Sequence, residues 1–318
     1  MILKVNDLTK VYRNNRKEEL ALDSINFHVN EGEIFSILGE NGAGKTTLIK
    51  LMTNLLTPSK GEILYQGKNI TMMGKDYYKK IGVVLEGNRN LYWYLSAYEN
   101  IYYFGRLLGL NKNTIENRAN ELLGFFGLYN EKDKKVGNFS RGMQQKLAII
   151  ISLLHEPKIL FLDEPTLGLD VLSKRDMIKK IRYLSRNDNV TVIITSHQLD
   201  VIEKVADRVL ILKKGKIEFL DTVFSLKKIY SNNKYIIKVE KILDESYIKN
   251  YFNKFNITYS GNTTQIEAYV DDYNFINKFL ECMIKNDICI NNVSKDSNSL
   301  EDIMYTFLKP GSDKVESI

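Results

Sequence analysis

The stretch Glu33-Ile34-Phe35-Ser36-Ile37-Leu38-Gly39-Glu40-Asn41-Gly42-Ala43-Gly44-Lys45-Thr46-Thr47 decides the fold. Its first six residues read as a buried strand, Glu33–Leu38, and helical propensity begins at Thr46 and runs to Thr53. Between them, Gly39 to Thr46 match G-x-x-x-x-G-K-[ST] in the strand–loop–helix setting that gives the pattern its meaning. Glycines let successive backbone N–H groups turn inward around an anion without Cβ clashes. The N-terminus of the new helix adds partial positive charge beneath the phosphates. Lys45 is placed to reach β- and γ-phosphates, and the Thr46 hydroxyl to ligate Mg²⁺.

Outward from this loop, three more strands stand out at Lys158–Leu162, Val190–Thr195 and Arg208–Lys213. They are nearly continuous apolar runs, the mark of strands buried on both faces of a largely parallel sheet. Helical patterns fall between strands at Thr114–Phe126, Gln144–His155 and Ser173–Arg186. The alternation predicts an α/β domain of the P-loop type over residues 1–224.

The run Lys158–Leu162 ends in Asp163-Glu164-Pro165. Ligands bind at such strand ends in parallel sheets, and successive side chains of a strand point opposite ways. The two carboxylates therefore take different roles: Asp163 faces Mg²⁺ through its water shell, and Glu164 acts as general base or positions the attacking water. Ser140 and Gly142, in Asn138-Phe139-Ser140-Arg141-Gly142-Met143, begin a long apolar helix at a position suited to an anion. Thr166-Leu167-Gly168-Leu169-Asp170 follows the carboxylates, and Val190–Thr195 ends in Ser196-His197 at the same sheet edge.

In their order and spacing these segments resemble the nucleotide-binding subunit of an ABC transporter, over about residues 1–220. The resemblance implies that Ser140 and Gly142 stand in the signature segment, which completes the ATP site of the opposite subunit. Asp170 falls in the loop linking the two sites, and His197 matches the histidine that contacts the γ-phosphate. Tyr12 matches the aromatic that stacks on adenine, a contact a flat ring makes well. The expected ligands are ATP and Mg²⁺. The expected partners are separate polytopic membrane permease subunits and a second ATP-binding subunit.

Two positions depart from the family pattern. Arg141 replaces the first of two glycines after the signature serine; it is either solvated or adds charge near the nucleotide or partner. After the strand Ile81–Leu85 the family has a glutamine that touches Mg²⁺, and here stands Glu86, also a hard oxygen donor. The next segment, Gly87-Asn88-Arg89-Asn90-Leu91-Tyr92-Trp93-Tyr94-Leu95, is read as an exposed aromatic platform for a membrane subunit's cytoplasmic helix rather than a core cluster.

Texture changes near residues 225–233, a polar stretch read as a linker. Beyond it, residues 234–318 form an accessory domain: strand Lys234–Val239, helix Glu245–Phe255, strands Ile257–Ser260 and Thr264–Val270 around Gly261-Asn262, helix Tyr273–Lys285 and strand Ile288–Val293. That is the β-α-β-β-α-β order of ferredoxin-like α+β domains. A short helix, Ser299–Leu308, closes the chain. This tail resembles those of export-type ATPases.

Composition sets bounds on function. A 44% apolar content supports a large core without covalent staples, and Cys282 and Cys289 are read as core thiols in a reducing compartment. The net charge of +6 suits phosphate or an anionic leaflet, yet the lysines are scattered, so a solvated surface and no nucleic-acid partner are expected. The N-terminus has no signal-peptide pattern and no apolar run reaches the ~18 residues of a spanning helix, so a cytoplasmic protein is expected, held at the membrane's inner face by its partner. The alternative is a soluble ABC-type ATPase acting on ribosomes or DNA. Ribosome-acting members fuse two cassettes and DNA-acting ones insert coiled coils, and neither feature is present. A catalytically dead regulator predicts loss of Glu164 or His197, and both are present.

Overall fold

The computed structural model describes residues 1–14, 17–87, 91–230, 234–270 and 273–295. The chain divides into two compact units, Met1–Val223 and Phe224–Ile318. The first unit begins with β1 (Leu3–Asn14) and β2 (Lys17–Val29), followed by β3 (Ile34–Gly39), α1 (Lys45–Met52), β4 (Lys60–Tyr65), β5 (Lys68–Asn69), α2 (Ile70–Met73), α3 (Lys75–Tyr78) and β6 (Ile81–Val84). Three helices come next, α4 (Ala97–Leu107), α5 (Lys112–Phe126) and α6 (Arg141–Leu153). Then β7 (Ile159–Asp163), α7 (Val171–Arg186), β8 (Thr191–Thr195), α8 (Leu199–Val205), β9 (Arg208–Lys213) and β10 (Lys216–Thr222) complete it.

Six strands form the central sheet in the order β10-β9-β3-β8-β7-β6. All its pairings are parallel except β10 against β9 at one edge. Every residue of β3, β7 and β8 is buried, and alternate side chains go to opposite sides. Leu160, Leu162, Val192 and Ile194 join a core with α4, α5, α6 and α7. Ile159, Phe161, Ile193, Phe35 and Ile37 join a second core with α1 and a separate antiparallel sheet, β2-β1-β4-β5. A strand with apolar side chains on both faces cannot lie at a surface without exposing one of them, so helices cover one face and the second sheet the other.

Helix starts follow from capping. Asn111, Ser140 and Asp170 each accept a first-turn N–H, so α5, α6 and α7 begin two or three residues earlier than periodicity alone predicted. Ser96 and Glu99 form a reciprocal capping box at the start of α4.

Helix α9 (Val223–Tyr230) begins at the last residue of the first unit and spans most of the stretch read as a linker. The second unit continues as β11 (Lys234–Val239), α10 (Glu245–Lys249), β12 (Lys254–Ser260), β13 (Thr263–Tyr269), α11 (Tyr273–Lys285) and β14 (Ile290–Lys295). The strands form one antiparallel sheet in the order β12-β13-β11-β14. Its core joins Ile237, Val239, Ile266, Phe252, Phe279 and Met283. The helix expected over Glu245–Phe255 ends at Lys249, because Phe255 and Ile257 alternate onto this core as strand residues. Neither cysteine is a core thiol: Cys282 is half-buried and Cys289 exposed, since Ile288 and Ile290 on either side take the inward positions. The closing helix expected at Ser299–Leu308 lies outside the described residues.

One buried polar side chain fixes the aromatic segment. Asn100 on α4 is fully buried; its Oδ1 accepts from Tyr92 N at 2.8 Å, and its Nδ2 donates to Tyr92 O and Ser96 O, each at 2.9 Å. An alanine there takes the partner from Tyr92 N and one of two bonds from each of Tyr92 O and Ser96 O, at about 1–3 kcal/mol for the N–H left unpaired. Asn100→Ala is expected to lower the urea midpoint of unfolding; an unchanged midpoint contradicts this role.

Candidate functional site

The phosphate loop turns where it must. Gly42 and Gly44 have φ of 84° and 106°, a region costly for residues with a Cβ. A methyl group on Gly44 would also come within 2.8 Å of Ala21 O and of Leu22 Cδ2. Gly44 is the N-cap of α1, and no side chain caps the helix there, so first-turn N–H groups are left to face a ligand. A cavity of 620 Å³ opens over them, lined by Tyr12, Asn41, Gly42, Gly44, Lys45, Thr46 and Thr47. Of the predicted loop residues, Ala43 is instead buried: its N–H bonds Glu40 O and its carbonyl accepts from Gly215 N at 3.1 Å.

Lys45 lies over the loop, with Nζ donating to Gly39 O at 2.7 Å and to Glu40 O at 3.0 Å. Burial pushes its ammonium below the ordinary lysine range, against the opposing pull of Glu164, Asp163, Glu86 and Glu40. That list of charges locates the site. Glu86 follows β6, Asp163 ends β7 with Glu164 next after it, and all three act on the lysine that follows β3.

Thr195, the last residue of β8, organises the carboxylates. Its hydroxyl donates to Asp163 Oδ1, while Glu164 N donates to its carbonyl and its hydroxyl oxygen, both at 3.2 Å. Asp163 is buried and faces this hydroxyl. Glu164 turns elsewhere, at a left-handed φ of 51°, a conformation that costs a non-glycine residue and persists only where its surroundings impose it. Its Oε1 meets His197 Nδ1 at 2.8 Å, and its buried Oε2 has no protein partner. A buried carboxylate oxygen left free while its twin is held is poised to accept a proton or a water's hydrogen bond. Nearby, Thr166 Oγ1 donates to Gln198 Oε1 at 3.1 Å.

A second group of predicted residues gathers at the N-termini of α6 and α7. Ser140 Oγ accepts from Met143 N at 3.3 Å. Asp170 Oδ1 accepts from Leu172 N and Ser173 N, and its Oδ2 from Ser173 Oγ at 2.6 Å. These bonds, the Ser173 hydroxyl's first, hold the Asp170 carboxyl below its usual range. Ser140, Gly142 and Asp170 do not line the cavity over the phosphate loop. The predicted residues thus fall into two groups on the chain, and only the first lines this cavity.

Tyr12, on β1, lines that cavity with its hydroxyl 3.4 Å from Thr47 Oγ1 and Lys10 Nζ 5.4 Å from its ring centre. Sequence reasoning missed Lys214 and Gly215, which also line it. They are the two-residue turn of the β9–β10 hairpin, with φ of 48° and 77°, and a glycine between two strand-like runs is the available signal. It also missed Thr195, which looks like any β-branched strand residue.

The aromatic segment is exposed: Tyr92, Trp93 and Tyr94 are open by 46, 59 and 89%. Trp93 O accepts from Gly137 N at 2.9 Å and Leu95 O from Val136 N at 3.0 Å, tying it to the backbone just before Ser140. An apolar groove of 510 Å³ beside it is lined by Leu85, Glu86, Leu91, Phe104, Leu107 and other residues.

Known proteins resemble this chain in sequence and in fold. Residues 22–167 match the family model described as ABC transporter. The uncharacterised ABC transporter ATP-binding protein YhcH of Bacillus subtilis is 34% identical over 301 residues, covering 95% of this chain and 94% of that protein. The bacitracin transport ATP-binding protein BcrA of Bacillus licheniformis is 32% identical, covering 98% of each chain. Among solved structures, cbiO1 from Clostridium perfringens, part of the ABC transporter complex cbiONQ, superposes with a TM-score of 0.65 at 32% identity, covering 72% of this chain and 92% of that one. A dimeric, post-hydrolysis ATP-binding cassette, MJ0796, bound to ADP and phosphate, superposes with a TM-score of 0.63 at 27% identity, covering 70% and 99%.

The loop geometry makes one expectation specific. In Gly44→Ala both the backbone strain and the collision with Ala21 and Leu22 oppose the loop, and affinity for ATP is expected to fall about five- to 150-fold, from about 1–3 kcal/mol of strain. A fluorescent-nucleotide titration measures it; affinity within a factor of two contradicts the assignment.

Proposed function

The chain belongs to the family of ABC transporter ATP-binding proteins, and from that premise we propose that it drives export through separate membrane subunits. The observation that carries the ATP-driven step is the separation of the predicted site residues into two groups. Lys45, Asp163, Glu164 and His197 meet at one edge of the central sheet, while Ser140 and Gly142 stand elsewhere. Two chains arranged head to tail would complete two sites, each pairing one chain's phosphate loop with the other's signature segment. ATP would favour the closed pair, and hydrolysis would release it.

In this reading Tyr12 stacks on adenine, and the N–H groups from Asn41 to Thr47 and the Lys45 ammonium bind phosphates. The phosphates would also oppose the burial that lowers the lysine's pKa. Thr46, Asp163 and Glu86 offer hard oxygens to Mg²⁺, which would neutralise phosphate charge. Among the described residues no cluster of three or more His, Cys, Asp or Glu could hold a metal alone, and Mg²⁺ is commonly held by one or two carboxylates together with substrate phosphates. Glu164 accepts the attacking water's proton through its free Oε2, and His197 holds that carboxylate by its other oxygen while reaching toward the γ-phosphate.

No helix among the described residues is long and apolar enough to cross a membrane, and in this reading the membrane passage lies in a separate subunit. The exposed Tyr92–Tyr94 segment and the groove beside Glu86 suit an amphipathic helix of a permease. The backbone ties from Trp93 and Leu95 to Val136 and Gly137 offer a route from that surface to Ser140. The protein would then sit at the inner face of the membrane. Export rests on the C-terminal unit and on the end-to-end match to a bacitracin transport protein. We read residues 1–224 as the ATPase domain and 234–318 as a ferredoxin-like accessory domain joined through 225–233. The strand order β12-β13-β11-β14 supports the latter.

Two measurements test this. Glu164→Gln is expected to keep ATP affinity while turnover falls about 10²–10⁴-fold; turnover at the native rate excludes Glu164 as the base. Replacing both Trp93 and Tyr94 with serine is expected to reduce recovery of a co-expressed, genetically neighbouring permease with the tagged chain. Undiminished recovery moves the docking surface elsewhere.

A further inference from the structure

We propose that Arg141 is a positioning residue, clamping the signature segment to the loop that follows the catalytic carboxylate within the same chain; this rests on the proposed function. Gly168, in the middle of that loop, has φ of 72°. A methyl group on it would lie 2.5 Å from Arg141 Nη1 and 3.4 Å from its Cδ and Cζ. The guanidinium, on an exposed side chain, therefore lies over the Gly168 backbone, where a methyl group would push it aside. A flat, delocalised cation packs on such a surface as a lysine's ammonium does not.

The same junction closes from its other side. A methyl on Gly142 would come to 3.3 Å of Ser173 Oγ and 3.7 Å of Leu169 Cδ2. Consecutive residues of the signature segment thus grip the loop at Gly168 and at Leu169–Ser173. The loop is pinned at both ends besides. Leu167 N donates to Glu164 O at 3.1 Å and Leu169 N to Thr166 O at 3.3 Å, while Asp170 holds Ser173.

Displacement of Ser140–Gly142 by the nucleotide of the opposite subunit is thereby passed, through Arg141 and Gly168, to the turn that holds Glu164. Glu164 is sensitive to it, because its left-handed backbone is held only by its neighbours. The clamp makes occupancy of one site prepare the carboxylate of the other, a coupling between two like sites.

ATP turnover by the full-length chain, measured against ATP concentration, tests the clamp in Arg141→Ala, Arg141→Lys, Gly168→Ala and the Arg141→Ala/Gly168→Ala double variant. Arg141→Ala is expected to lower kcat about tenfold, as misplacement of a reacting group does, and to bring the Hill coefficient toward 1. The half-saturating ATP concentration should change less than about twofold. Gly168→Ala should do the same, the double variant should be no worse than either, and lysine should not restore kcat. The clamp is overturned if Arg141→Ala shifts only the half-saturating concentration, if lysine restores full activity, or if the two substitutions multiply. No turnover by the unaltered chain, in contrast, contradicts the proposed function and the clamp with it.

Discussion

The structure depends on a sheet that has no free face. Because β3, β7 and β8 bury every residue, polar chemistry cannot be carried along them and is displaced to their C-terminal ends. Parallel pairing then sets those ends side by side. Ile37 is paired with Thr195, and Thr195 with Asp163. The phosphate loop, the carboxylates and the histidine are far apart in sequence yet share one rim, with no side chain reaching across a domain to join them. The general tendency of open parallel sheets to bind ligands beyond their strand ends follows from the same exclusion.

At that rim the backbone decides more than the side chains do. Gly42 and Gly44 adopt conformations that other residues disfavour, and the packing of Ala21 and Leu22 leaves no space for a Cβ at Gly44. Glu164 accepts strain of the same kind without being glycine. The bonds from its N–H to Thr195 and the contact of Oε1 with His197 fix its turn and leave Oε2 free. Thr195 is the shared support, since one hydroxyl serves both neighbouring carboxylate residues. Glu164 lies beyond the end of β7, so the two carboxylates part at its left-handed turn and not by strand alternation.

Sequence reading succeeds where one residue pattern has one physical cause. The glycine-rich loop after an apolar strand is such a pattern, and so are the continuous apolar runs of β7, β8 and β9. The antiparallel sheet of β1, β2, β4 and β5 was not legible in this way. Pairing of β1 with β2 shifts register at three points, and Asp7 and Ser24 lie at positive φ, so no sustained alternation marks the strands. Helix starts were misplaced because caps sit outside the apolar repeat. Arg141 was open between solvation and charge, as only the fold shows Gly168 beneath it. The exposure of Tyr92 to Tyr94 follows from Asn100, which holds the segment's backbone to α4 and which the sequence shows only as one more polar residue in an amphipathic helix.

The proposed function turns on incompleteness: Ser140 does not line the cavity over the phosphate loop, so in that reading ATP brings two chains together. Sedimentation of the full-length Glu164→Gln chain, in which bound ATP persists, measures this directly. The mass of two chains is expected in saturating ATP and Mg²⁺, and of one chain in ADP. The mass of a single chain at every ATP concentration contradicts it.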